Sequence, residues 1–96
     1  MKVRFTDGTE KTFDHVLLAT GYRVDVRRYM FLAPEMLASL EVSNGFPVLR
    51  EGLQSSIAGL HFLGAPGAWS FGPILMFVSG THYASAELAR CICAAI

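Results

Sequence analysis

Polar and apolar residues alternate from Lys2 to Thr6, and Thr9 to Phe13 returns with threonine and an aromatic after the pair Asp7-Gly8. Alternation on both sides of an Asp-Gly turn predicts a β-hairpin. The alternation then stops. His15 to Ala19, reading HVLLA, is apolar almost throughout, which predicts a strand covered on both faces, as in the interior of a parallel sheet. Tyr22 to Met30 has no period and carries Arg23, Arg27 and Arg28. It predicts a crossing loop with solvated charges.

Pro34 to Leu40 places proline at a helix start, with Met36, Leu37 and Leu40 at helical spacing, enough for about two turns. Asn44-Gly45 turns the chain. Phe46 to Leu49 predicts a short strand that Pro47 confines to an edge. Gly59 to Leu63 predicts a second apolar strand, ending in Gly64-Ala65-Pro66-Gly67. From Pro73 onward Phe77, Thr81, Ala84, Leu88, Cys91 and Ala95 recur at steps of three and four, predicting a long C-terminal helix. The fold class expected is α/β, with an N-terminal hairpin, short parallel-sheet strands and a long last helix.

Composition changes this picture in one respect. Hydrophobic residues make up 52% of the 96 and charged residues 17%, a rich balance for so short a chain, and it implies surface that something else covers. A complete two-cofactor enzyme does not fit in this length. Acidic and basic residues are equal in number, so charge gives no reason to expect nucleic acid as a partner. The stretch between Glu51 and Glu87 has no formal charge and is long enough to be weighed as a membrane span. Gly59, Gly64, Pro66, Gly67, Gly72, Pro73 and Gly80 interrupt it, so no membrane is expected. Cys91 and Cys93 stand two apart, where a helix turns them to different faces, and His15, His61 and His82 show no ligand spacing with them. No metal site is expected. The N-terminus MKVRFTDG lacks the charged stub and apolar core of a secretory signal, and a reducing cytoplasm is the expected compartment.

Chemistry is concentrated in two places. His15 to Asp25, HVLLATGYRVD, runs an apolar strand into Ala19-Thr20-Gly21, where glycine lets backbone come close to a neighbour or ligand. Gly59 to Ser85, GLHFLGAPGAWSFGPILMFVSGTHYAS, runs a strand through a glycine-rich loop to a helix with proline near its start. A helix N-terminus offers unpaired N–H groups and about half a positive charge, and the loop from Gly64 to Pro73 has no acidic residue to cancel that field.

The first segment resembles the ATG motif of flavoprotein monooxygenases and related oxidoreductases with two dinucleotide-binding domains. The second is similar to the closing FAD-domain segment of FAD-dependent oxidoreductases related to the flavin monooxygenases. The resemblance implies the rear part of a Rossmann-like flavoprotein. Residues 1–25 would supply the hairpin and ATG strand from the end of the NAD(P)H domain, and residues 26–96 the C-terminal part of the FAD domain. It further implies FAD as cofactor, with NADPH or NADH as reductant in the parent enzyme. A small organic molecule would be the substrate, most simply with oxygen. Implied cofactor contacts are Thr20, Gly21, Gly64, Ala65, Pro66, Trp69, Ser70, Phe71, Gly72 and Pro73. Many relatives carry Asp after the strand-ending glycine, where it hydrogen-bonds the ribityl chain; here that position is Ala65, leaving backbone groups to bind.

No G-x-G-x-x-G follows any strand, so neither pyrophosphate site is encoded here. The resemblance therefore implies a complementary FAD/NAD(P)H-binding portion or subunit, and no catalytic residue of this chain's own. Other roles stay open. Trp69 either stacks near a planar ring or caps a core, Gly72 and Pro73 either approach FAD or only start a helix, and Gly80 fits close packing with a neighbouring helix. His61 and His82 read as ordinary strand and helix residues. The competing expectation is a non-catalytic α+β interaction module, or a subunit that completes a split enzyme. Either reading implies an exposed apolar patch, and the fragment is expected to self-associate through its apolar faces.

Overall fold

The computed structural model describes all residues from Met1 to Ile96. It is an α/β chain with two small antiparallel sheets and a long C-terminal helix. The first sheet is the expected hairpin, β1 (Lys2–Arg4) paired with β2 (Glu10–Thr12) in the register Lys2 to Thr12 and Arg4 to Glu10. Asp7 closes its loop by accepting from the Thr9 N–H and hydroxyl. Glu10 draws in Lys2 and Arg4 across the strands. Those two cations hold the Glu10 carboxyl below its ordinary range, Lys2 contributing most.

Helix α1 (Pro34–Ser39) forms where proline presets the backbone of the first turn, with Glu35 also near the positive end. The chain leaves it at Leu40 in extended conformation. Strands β3 (Val42–Ser43) and β4 (Phe46–Pro47) are then joined by Asn44-Gly45, both with positive φ, as a tight primed turn requires. Pro47 pairs only with Val42, so β4 is an edge as the sequence implied. A Cβ on Gly45 would lie 3.3 Å from the Cα of Asp25, and the Val26 N–H donates to the Gly45 carbonyl at 2.9 Å. This hairpin turn is therefore packed directly on the Val24–Val26 backbone.

The core is assembled from distant points of the chain: Val26, Leu40, Leu49, Leu53, Phe62, Leu75 and Ala84, with Leu53 and Val26 wholly buried. Every member lies between residues 26 and 84. Helix α2 (Ala68–Phe71) and helix α3 (Thr81–Ala95) close over it.

Three expectations are corrected. His15 to Ala19 forms no strand: no residue from Asp14 to Asp25 donates a backbone bond to backbone, and Leu17 is 91% and Leu18 79% exposed. A strand buried on both faces needs two neighbours, and this chain offers neither. Gly59 to Leu63 pairs only through an antiparallel bridge from His61 to Gln54, and no parallel pairing occurs. The last helix begins at Thr81 instead of Pro73, because Gly72 (φ 100°, ψ 162°) and an extended Phe77 split the approach into two 3-10 turns, Pro73–Met76 and Val78–Gly80.

Candidate functional site

The second motif by itself encloses a cleft beside the core residues Leu75 and Ala84. Leu63, Gly64 and Ala65 form one wall of a cleft of about 260 Å³, with Leu75 to Val78 opposite and Gly80, Thr81 and Ala84 of the α3 start at its end. The walls are mostly apolar. Gly67 and Gly80 are what let the walls approach: a Cβ on Gly67 would fall 2.7 Å from Leu75 Cδ1, and one on Gly80 2.8 Å from the Leu75 Cα. The close packing expected of Gly80 is present, but against the preceding 3-10 turn and not against a neighbouring helix.

The electrostatics follow from α3. Its fifteen residues carry no acidic group in the first turn and no side-chain cap at Gly80, so the positive end of its dipole is not offset locally. Thr81 and Gly80 put that end at the cleft.

Gly64 and Ala65 are the sequence-derived site residues that line the cleft; the others are distributed differently. Pro66 and Gly67 form a 3-10 turn behind it. Trp69 stacks on Phe46, ring centroids 5.9 Å apart at 25°, and so caps the β3–β4 hairpin. The Ser70 hydroxyl accepts from the Leu49 N–H at 2.9 Å, and Phe71 tilts against Tyr83 at 6.1 Å. These three side chains hold α2 to the rest of the fold. Gly72 ends α2 and Pro73 opens the next turn. At Gly72 the backbone lies in a region essentially confined to glycine, while a Cβ there would meet no atom within 4 Å. Its conformation, not crowding, selects glycine.

Gly21 borders a separate hollow with Leu18, Ala19 and Tyr22, and Thr20 is exposed and lines neither space. The stretch after the ATG residues does come near the second motif, because Tyr22 to Asp25, Arg28 and Tyr29 share a further hollow with Ala65. His61 is structural, its Nδ1–H donating to the Gly52 carbonyl at 2.8 Å. His82 is exposed on the first turn of α3.

Sequence reasoning missed Leu75 to Val78 as a wall, since a continuous helix through them would have turned only some toward the cleft. It also missed the joint between α3 and the Gly52 turn. There Glu87 accepts the Gly52 N–H at 3.1 Å, and Arg90 bridges Glu87 and Glu51, each at 2.9 Å. The pairing of Glu87 with Arg90 three residues on was the available signal.

The cleft is mainly apolar, and a Cβ on Gly64 would meet no atom within 4 Å. No charged side chain lines it. No helix is long and apolar enough to cross a membrane, and no group of three or more His, Cys, Asp or Glu stands in metal-binding arrangement. Comparison of the chain with known protein families, with curated proteins and with solved structures finds no match.

Proposed function

We propose that this chain contributes the flavin-side loop and last helix of an FAD- and NAD(P)H-dependent oxidoreductase of monooxygenase type. The ATG segment would become a parallel strand once a complementary dinucleotide-binding portion is present. The supporting observation is the cleft itself, where the glycine-rich loop and the start of α3, which has no side-chain cap, line an apolar space. A flavin supplies redox chemistry at a ring whose pyrimidine edge gains negative charge on reduction. The chain's part is to present backbone N–H groups and the α3 dipole to that edge and to exclude water with Leu75 to Val78. The unpaired backbone of residues 14–24 supports the same reading, since it has the hydrogen-bonding capacity of a strand awaiting neighbours.

The test is spectroscopic. The chain joined to a portion carrying two G-x-G-x-x-G turns is expected to retain stoichiometric FAD and to be bleached by NADPH or NADH. Alone it is expected to bind FAD more weakly than about 1 μM, or roughly 8 kcal/mol. A colourless complex would remove the flavin. One observation favours the second reading, a non-catalytic interaction module: residues 26–84 already enclose a core of their own. Cooperative unfolding as a clean monomer, with no flavin taken up in any partnered state, would establish it.

A further inference from the structure

The eight basic residues divide into two groups. Lys2 and Arg4 pair with Glu10, Arg50 with Glu41, and Arg90 with Glu51 and Glu87. Lys11, Arg23, Arg27 and Arg28 have no ion-pair partner, and three of these four fall within one short segment. Arg23 and Arg28 border an open hollow of about 400 Å³ that Ala65, Tyr22 and Tyr29 also line. Asp25 is the one acid in the lining. One of its oxygens is engaged by the Arg27 N–H at 3.2 Å, so it serves to start the 3-10 turn Val26–Arg28. The lining residues therefore include two arginines and one aspartate, a net positive charge.

The side of the hollow formed by residues 26–29 is held in place. Val26 is wholly buried with its N–H on Gly45, and Tyr29 N–H returns to the Val26 carbonyl at 3.1 Å. Tyr29 is also stacked on Phe31, centroids 5.3 Å apart. Guanidinium forks match the oxygens of a phosphate, and tyrosine rings offer flat faces beside them.

We infer that this hollow is a binding site for a phosphate monoester carried on a flat ring. The site shares only Ala65 with the cleft, and its test does not depend on flavin. Phenyl phosphate, titrated into the full chain and followed by backbone amide NMR, is expected to saturate and to move the amides of residues 22–29 and 65. Phenol and inorganic phosphate alone are each expected to bind at least about tenfold more weakly. Arg23→Gln and Arg28→Gln are each expected to weaken phenyl phosphate by about tenfold. Arg27→Gln, which removes the same charge from the same turn outside the hollow, leaves binding unchanged. Circular dichroism confirms that these exposed substitutions keep the fold. No saturation at millimolar phenyl phosphate, equal losses in all three variants, or unaltered binding in the Arg23→Gln/Arg28→Gln double variant would each overturn the site.

Discussion

Gly52 is the residue on which most of the C-terminal packing converges. It sits at φ 70°, its N–H on Glu87 and its carbonyl on His61, and a Cβ would come 2.5 Å from the Cβ of Cys91. Gly52→Ala is expected to combine about 1–3 kcal/mol of backbone strain with about 1–3 kcal/mol of overpacking. Gly72→Ala meets strain without crowding, so denaturant unfolding should rank Gly52→Ala as the more damaging. The reverse order would mean that α3 does not seat on this turn. Glu87 adds a pH dependence. Arg90 first, and the Gly52 N–H second, hold its carboxyl below the ordinary value of 4.5. A depressed carboxylate stabilises the fold above its unfolded pKa and loses that effect as pH falls through the folded one. Exchange of the Gly52 amide is therefore expected to accelerate as pH drops below about 4.5, after correction for intrinsic rates, and Glu87→Gln should abolish the change.

Helix α3 shows how one element can be correct in identity and misjudged in extent. Its inner face reads Ala84, Glu87, Leu88 and Cys91, so a carboxylate occupies a position where periodicity looks for an apolar residue. Its start depends on Gly72 and Phe77 taking non-helical backbone, which spacing alone does not reveal. The β1–β2 hairpin, the Asn44-Gly45 turn with its edge strand, and α1 were legible because Asp7-Gly8, Asn44-Gly45 and Pro34 act locally, within a few residues, whereas strand β3 was not foreseen. His15 to Ala19 and Gly59 to Leu63 were not legible, because an apolar run states only that cover is wanted and the cover must come from elsewhere. Gly64 and Ala65, singled out from the glycine-rich loop, line the cleft. The side chains of Trp69, Ser70 and Phe71 found partners within the fold instead. Removing the joint tests its weight: Glu87→Ala, which strands the Gly52 N–H, is expected to lower the unfolding temperature more than Arg90→Ala, which loses only exposed ion pairs.

At the scale of the molecule the chain is drawn out to 61 × 32 × 22 Å, with a radius of gyration of 18.5 Å against about 13 Å for a compact domain of this size. The β1–β2 hairpin supplies no residue to the core, so the length comes from an appendage carried on residues 14–22. Limited proteolysis is expected to cut within that stretch first and to leave a resistant product spanning the core, whereas uniform digestion would show the core to be unstable. Leu53→Ala, at a wholly buried position, should cost about 2–5 kcal/mol and render that product sensitive as well. Sedimentation at micromolar concentration is expected to find self-association, since Leu17, Leu18, Tyr22, Phe77 and Val78 are all left open. The unpaired run between Asp14 and Arg23 also has a kinetic consequence. It holds an uncharged window of valine, leucine and alanine with every ladder position vacant, the composition that seeds cross-β stacking. Asp14 and Arg23 act as its gatekeepers. Replacing the exposed Leu18 by lysine should lengthen the lag before thioflavin-positive fibrils without moving the thermal midpoint, which separates the hazard of this strand from the stability of the fold.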